Sequence, residues 1–186
     1  MSTETVFVPK LQVENVRRVF REVRKFEPKL VRDTQKQMRE RLGGPLNTAA
    51  SNILRSHLRY PDRPMTGWGS GSRVGWNTNR VVKGYKVSTA MQYDRSRHTW
   101  SVITFNQATP AGAVFDWAGR STSGQGARGI SFINNLQANI RFGSIKGSKH
   151  SRVVYPAVVK EYGTVINEFT DIIGDLEKKI NARVGG

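Results

Sequence analysis

Apolar residues recur at steps of three and four positions in the first part of the chain, with Arg and Lys between them. This period predicts an amphipathic helix over 11–42. We expect a kink or break at Pro28, because a proline inside a helix removes a backbone hydrogen bond. Gly43-Gly44 should end this helix, and Pro45 should begin a shorter one. The N-terminal helices are thus predicted to occupy 11–58.

The middle of the chain changes to a loop and strand pattern. Proline and glycine punctuate 60–79, which predicts a long loop with Trp68 and Trp76 inside it. Apolar and polar residues then alternate in two runs, which predicts a β-hairpin over 84–106. The segment Asp94-Arg95-Ser96-Arg97 is the expected turn between the two strands.

Helical spacing returns in the last part of the chain. Thr109-Pro110 can cap a short helix, a Gly/Ser-rich loop is expected at 120–129, and a basic loop is expected at 143–151. The C-terminal helical region covers 130–184, and its last helix should begin near Pro156. This helix is predicted to pack through one apolar stripe, which consists of Val159, Tyr162, Ile166, Phe169, Ile173, Leu176, Ile180 and Val184.

Length and composition predict a single globular domain over 1–186 with its own core. The chain contains no cysteine, which excludes disulfides and thiolate chemistry. No apolar run reaches the roughly 18 residues of a membrane span, and 1–5 lacks the pattern of a secretory signal. We therefore expect synthesis in a reducing cytoplasm and no membrane partner.

The strongest compositional signal is a formal net charge of +16 at pH 7. It indicates an anionic partner, which is nucleic acid, a membrane surface or an acidic protein. Cations on the first helix form either a docking stripe or a solvated face; they are Arg17, Arg18, Arg21, Arg24, Lys25, Lys29 and Arg32. A second group mixes cations with aromatic rings and consists of Arg73, Trp76, Arg80, Lys83 and Tyr85. It is either a nucleic-acid surface or a loop whose tryptophans pack on the core or on a partner.

Motifs for catalysis are weak in this sequence. The segment 124–129 matches the dinucleotide-binding pattern GxGxxG, but no strand precedes it and no acid follows at the required distance. The histidines lack metal-ligand spacing; they are His57, His98 and His150. Acids are too sparse in the middle of the chain for a metal-dependent nuclease. Asp116 lies between two aromatic residues and is expected to be a helix-surface carboxylate. We predict no enzyme activity, no metal and no cofactor.

The order of elements and two short motifs resemble the neck proteins of long-tailed bacteriophages, the head–tail connector or tail-completion family. Members carry a Pro-x-x-Thr-Gly element after the first helix, and Pro64-Met65-Thr66-Gly67 is similar but one residue shorter. They also carry a segment like Ala-x-x-Val-Glu-Phe-Gly. The segment Ala113-Val114-Phe115-Asp116-Trp117-Ala118-Gly119 is similar, with Asp for Glu and an extra Ala before Gly. The likeness covers most of the chain in order and size.

This resemblance implies an α+β fold, with long N- and C-terminal amphipathic helices packed on a small antiparallel sheet and with long basic Gly/Pro-rich loops. It also implies a structural virion protein, assembled in the host cytoplasm, that forms a ring of identical subunits, with six-fold symmetry favoured over twelve-fold. The ring would join the head connector to the tail, or complete the head-proximal end of the tail. Its partners would be connector, stopper, terminator or tail-tube proteins, with genome DNA passing through. Candidate inter-ring or inter-subunit contacts are Arg63, Trp68, Arg73, Trp76, Arg80, Asp116, Trp117, Arg120, Arg128, Lys146 and Lys149.

Two alternative functions stay open. A tail-terminator ring belongs to the same structural class. A basic nucleic-acid-binding module would instead bind tightly, with an affinity that falls steeply as salt rises. A conduit for DNA should bind it weakly, because each phosphate contact slows passage, so docking to protein is the favoured use of most of the charge.

Overall fold

The computed structural model describes residues 13–58, 60, 62–65, 67–69, 71, 75–89, 92–94, 99–101, 103–118, 127–138 and 150–184. The helices are α1 Val13–Phe26, α2 Pro28–His57, α3 Thr78–Gly84, α4 Pro110–Trp117, α5 Ala127–Ala138 and α6 Val154–Val184. The strands are β1 Tyr85–Ser88, β2 Gln92–Asp94, β3 Thr99–Ser101 and β4 Thr104–Gln107. The fold is mostly helical with small β-ladders, which confirms the predicted α+β class.

The region predicted as one hairpin over 84–106 contains two separate strand pairs, with the inner pair β2–β3 between the strands of the outer pair β1–β4 in the sequence. Strand β1 pairs with β4, and β2 pairs with β3. The second pair is antiparallel, with Tyr93 opposite Trp100 and Asp94 opposite Thr99. Asp94 is therefore the last residue of β2, and the rest of the expected turn, 95–98, lies outside the described residues.

Contacts group the sequence into two compact units. The described residues of unit 1 fall within 13–45, 87–105 and 161–184, and those of unit 2 fall within 46–86, 106–118, 127–138 and 150–160. Each unit buries its own set of large apolar side chains. Helices α2 and α6 each contribute residues to both units.

Helices α2 and α6 run antiparallel within unit 1. Glu27, just before α2, pairs with Arg183 near the end of α6, and Arg41 pairs with Glu168 at an Nε–Oε2 distance of 2.5 Å. The buried apolar residues of these two helix segments are Leu30, Val31, Met38, Leu42, Val165, Phe169, Ile172 and Leu176. Burying a side chain of this size contributes about 1.5–3 kcal/mol, so this face accounts for much of the stability of unit 1.

The break at Pro28 is confirmed, because only Glu27 separates α1 from α2. The predicted helix end at Gly43-Gly44 is wrong, since α2 continues through Pro45 to His57. Buried side chains recur on both sides of the proline, among them Leu42 and Leu46, each at most 2% exposed. Burial of this continuous apolar face outweighs the local preference of glycine and proline to end a helix.

Helix α6 buries part of the predicted stripe, including Phe169 and Leu176, but leaves another part exposed. Its start at Val154 lies close to the expected Pro156. However, Val159 is 56% exposed and Tyr162 is 41% exposed, although both belong to the predicted stripe. The apolar surface of α6 is wide, and periodicity alone did not identify which edge of it would be covered.

Short helices in unit 2 begin at clear capping residues. The side chain of Thr109 accepts a hydrogen bond from the Gly112 N–H, with Pro110 in the first turn, as the sequence predicts. Asn77 caps α3 by accepting from the Arg80 N–H at 2.9 Å. The sequence pattern did not predict α3. Helices α3 and α4 lie against each other.

Candidate functional site

Three of the predicted contact residues are internal. Trp68, Trp76 and Asp116 are 4%, 2% and 0% exposed. In this conformation their side chains pack inside unit 2 and offer no surface to a neighbouring subunit. For the tryptophans this agrees with the alternative in which they pack on the core. The expectation that Asp116 is a helix-surface carboxylate is wrong.

The other predicted contact residues are distributed differently. Arg80 is exposed on α3, and Trp117 is partly exposed at the end of α4. Arg63 is partly buried, with its guanidinium carbon 5.8 Å from the centre of the Tyr60 ring. For Arg128 only the backbone, in α5, is described. The remaining four lie outside the described residues; they are Arg73, Arg120, Lys146 and Lys149.

A row of aromatic rings runs from Trp68, which follows the segment 64–67, to Phe115 in the segment 113–119. Trp68 and Trp76 lie with ring centres 5.5 Å apart, and Trp76 meets Phe115 edge-on at 5.5 Å. On the other side, Trp68 stacks on Phe132 of α5 at 5.8 Å. Aromatic pairs at these distances add to the effect of burial, by about 0.5–1.5 kcal/mol per pair. The row therefore joins 64–68 to α4 and α5.

Hydrogen bonds fix the described part of the loop over 60–79. The Trp68 N–H donates to the Met65 carbonyl at 3.2 Å, and Gly67 between them has a φ of +86°, which a side chain would disfavour. The Trp76 ring N–H donates to the Thr78 hydroxyl at 3.0 Å, and that hydroxyl donates to the Asp62 carbonyl at 2.9 Å. Part of the predicted loop is thus anchored to the core.

Asp116 and Arg152 form a buried capping pair between α4 and α6. The Asp116 Oδ1 accepts a hydrogen bond of 2.6 Å from the Val153 N–H, at the start of α6. The guanidinium of Arg152 donates to the carbonyls of Phe115 at 2.6 Å and Ala118 at 2.7 Å, at the end of α4. Each side chain satisfies backbone groups that a helix end leaves without an intrahelical partner. An acid at a helix start and a cation at a helix end also match the helix dipoles.

Burial of the capping pair changes its protonation. Burial raises the pKa of Asp116 to about 6, while the hydrogen bond from Val153 and the charge of Arg152 act in the opposite direction. Burial, followed by the nearby charge of Asp116, also raises the pKa of Tyr85 well above its usual value. Each interaction identified for the pair serves packing or capping, which is a structural role.

Four exposed cations follow one face of the first half of α2. We call them the basic stripe; they are Lys29, Arg32, Lys36 and Arg39. Their steps of three and four residues place their backbone positions on one side of the helix, away from the buried Val31 and Met38, although the Arg39 guanidinium reaches the Thr89 hydroxyl at 3.5 Å. The stripe extends about 15 Å at 1.5 Å per residue. The sequence leaves open whether Lys29 and Arg32 belong to a docking stripe or to a solvated helix face, and both residues are exposed.

Acidic residues follow one face of α6 in the same unit. We call them the acidic stripe; they are Glu161, Glu168, Asp171 and Asp175. Asp171 and Asp175 are exposed, and the other two are partly exposed. The apolar periodicity of the sequence does not indicate this stripe. The segment 161–177 nevertheless contains five acids and no Lys or Arg, in a chain of net charge +16. The total charge concealed a strongly acidic segment.

The described residues contain neither a metal-ligand cluster nor a membrane-spanning helix. No three His, Asp or Glu side chains there are grouped as metal ligands. None of the helices resolved in those residues has the length and apolarity needed to cross a membrane. Comparison with protein-family models, curated proteins and solved structures gives no significant match to this chain.

Proposed function

We propose that this chain is a structural protein of the neck of long-tailed bacteriophages. It would form a ring of identical subunits that joins the head connector to the tail, or completes the head-proximal end of the tail. The observation that carries the proposal is the aromatic row, because Trp76 links Trp68, the residue after the 64–67 motif, to Phe115 of the 113–119 motif. The two motifs that resemble the family thus belong to one packed unit.

The surfaces of the chain are consistent with this proposal. A ring subunit must contact copies of itself and the rings above and below it, which requires exposed side chains of both charges and some apolar character. The basic and acidic stripes supply the charges, and large apolar side chains are exposed elsewhere. These apolar residues include Phe26, Val114, Ile130 and Val159.

The direct test uses the phage whose genome carries the gene for this chain. If the gene is deleted, we expect DNA-filled heads and separate tails that fail to join, and a plasmid copy of the gene should restore joining. Antibodies against the chain should mark the head–tail junction in electron micrographs. Intact infectious particles that contain no trace of the chain would disprove the proposal.

A nucleic-acid-binding module is the second candidate, and the basic stripe favours it. Four cations spaced along about 15 Å of helix could contact several phosphates. A gel shift with double-stranded DNA over a salt series separates the two functions. We expect weak binding that is lost as the salt concentration is raised to about 300 mM, whereas submicromolar binding retained at that concentration would favour the second candidate.

A further inference from the structure

The basic stripe and the acidic stripe have similar geometry but lie on different helices. Lys29, Arg32 and Lys36 follow each other at steps of three and four residues, and Glu168, Asp171 and Asp175 repeat the same steps. Each set of three therefore spaces its charges at about 4.5 and 6 Å along its helix axis. Two helices that lie side by side and run in the same direction could pair these charges one to one.

Among the described residues, no ion pair joins the basic stripe to the acidic stripe, and Lys36 pairs with Glu40 of its own helix. Helix α2 turns its apolar face, with Val31 and Met38, towards the core of unit 1, and the basic stripe lies on the opposite side of the helix. The contacts between α2 and α6 come instead from residues at the edge of that face. Arg41 is the example, and it reaches both Glu168 and Asp171.

Arg41 also indicates which ligands the acidic stripe accepts. Its Nε lies 2.5 Å from the Glu168 Oε2, and its Nη2 lies 3.8 Å from the Asp171 Oδ2. Both acids keep part of their surface exposed, and Asp175 continues the row in the same direction. A further guanidinium or ammonium group from outside can therefore join a row that one arginine already occupies.

We propose that the basic stripe of α2 docks onto the acidic stripe of α6 in a second copy of this chain. The inference rests on the proposed function, since this contact would be the subunit interface of the ring. Because the two stripes are different surfaces, the contact is head-to-tail, and such contacts close into rings or extend into filaments.

A copy of the chain fits the basic stripe better than a nucleic acid does. Asp33 and Glu40 are exposed beside the stripe on α2, and Glu40 lies 3.8 Å from the Lys36 Nζ. These acids would repel the phosphates of a nucleic acid, whereas the acidic stripe of a second copy has the guanidinium of Arg41 beside it, which offers them an opposite charge. Binding to DNA would also leave the acidic stripe without a use.

The test is a charge-reversal exchange between two variants. The first, Lys29→Glu with Arg32→Glu, reverses part of the basic stripe. The second, Glu161→Lys with Asp175→Lys, reverses part of the acidic stripe and spares the acids that Arg41 holds. A control, Lys83→Glu with Lys86→Glu, changes the net charge by the same amount as the first variant, at exposed positions of unit 2. Circular dichroism and unfolding midpoints establish that all three are folded.

Self-association is measured by sedimentation velocity at low salt. We expect each stripe variant alone to associate at least about tenfold more weakly than the wild type, and the control to associate normally. An equal mixture of the two stripe variants should regain association in pairs, because the unchanged basic stripe of the second variant meets the unchanged acidic stripe of the first. Raised salt should weaken the wild type and the mixture alike.

The outcomes separate this inference from the proposed function. Unchanged association of the stripe variants, or a mixture that associates no better than its parts, would overturn the inference. Loss of DNA binding in the first variant with normal self-association would assign the basic stripe to nucleic acid instead. Detection of the chain at the head–tail junction in either case would leave the proposed function standing. If the chain were absent from phage particles, the proposed function would be wrong, but the measured self-association would still stand.

Discussion

The backbone N–H of Arg152 lies 3.1 Å from the carbonyl oxygen of Asp116, and the side chain of each residue caps the helix of the other. Asp116 contributes an acceptor to the start of α6, and Arg152 contributes donors to the end of α4. Both residues are almost completely buried, at 0% and 3% exposure. A pair of this kind should be strongly coupled, because removing one partner leaves the other charged and buried.

A double-mutant cycle measures that coupling. We expect Asp116→Ala and Arg152→Met each to lower the free energy of unfolding by about 3 kcal/mol. The double variant should lose less than the sum, by about 1 kcal/mol or more, because neither buried charge then remains alone. Urea unfolding at pH 7 measures all four proteins. Asp62→Asn, at an exposed position, serves as the control, and strictly additive losses would contradict the coupling.

Stability should also depend on pH through Asp116. Burial raises its pKa from the usual 3.8 to about 6 in the folded protein, so between these values the folded state binds more protons than the unfolded state. The contribution of Asp116 to the free energy of unfolding is therefore fully present below about pH 4, and it is lost as the pH rises to about 6. The full loss is about 3 kcal/mol at 1.36 kcal/mol per pKa unit.

The measurement compares wild type with Asp116→Asn, which cannot ionise. The free energy of unfolding of the wild type, relative to the variant, should fall between about pH 4 and pH 7. The comparison removes the effect of the large positive net charge, which is nearly the same in both proteins. A difference that stays constant or rises over this range would show that burial does not raise this pKa.

Two glycines allow α3 and α4 to approach each other around Gln107. A Cβ at Gly84 would meet the Gln107 side chain and lie 2.7 Å from the Thr109 Cγ2, and a Cβ at Gly112 would lie 2.5 Å from the Gln107 Cδ. Gln107 cannot easily move, because it donates to the Val81 carbonyl at 2.9 Å and accepts from the Thr109 N–H at 2.8 Å. An added methyl group must therefore displace bonded atoms.

We expect Gly84→Ala and Gly112→Ala each to destabilise the protein by about 1–3 kcal/mol. Gly163→Ala is the matched control, because a Cβ there, in the middle of α6, meets open space. The control should instead stabilise the protein by about 0.5–1 kcal/mol through helix propensity. Thermal unfolding distinguishes the opposite signs, and equal effects at the three positions would reject the close approach.

Trp76 occupies the centre of the aromatic row. We expect Trp76→Ala to lower the free energy of unfolding by about 3–5 kcal/mol, because the change opens a cavity beside Trp68 and Phe115 and removes the bond to Thr78. The exposed Val159→Ala should change it by less than about 0.5 kcal/mol. Urea unfolding monitored by circular dichroism measures both. A small loss at Trp76 would mean that the row contributes little to stability.

Local signals in the sequence predicted the elements that local chemistry determines. Thr109-Pro110 marked the start of α4 because a hydroxyl cap and a proline act within one turn. Pro28 marked the break between α1 and α2 for a similar reason. The continuation of α2 through Pro45 was missed, because it depends on burial of side chains far beyond the local window.

The roles of single residues were harder to predict. Asp116 looked like a surface carboxylate because its partners, Arg152 and Val153, come from the start of another helix. No spacing rule relates such residues. The acidic stripe was visible in principle, since 161–177 has acids and no bases, but only counting charge by segment would have found it.

The capping pair has a practical consequence for tracing this subunit in an assembled particle. Asp116 and Arg152 hold the end of α4 beside the start of α6, so residues 118 and 151 stay close together. Lengthening the loop that the sequence predicts at 143–151 should therefore cost little, about 0.6 kcal/mol for each doubling of its length. A peptide epitope inserted at 143–149 should therefore leave the hydrogen bonds of Asp116 and Arg152 intact. Antibodies against the epitope would then locate each subunit in the particle.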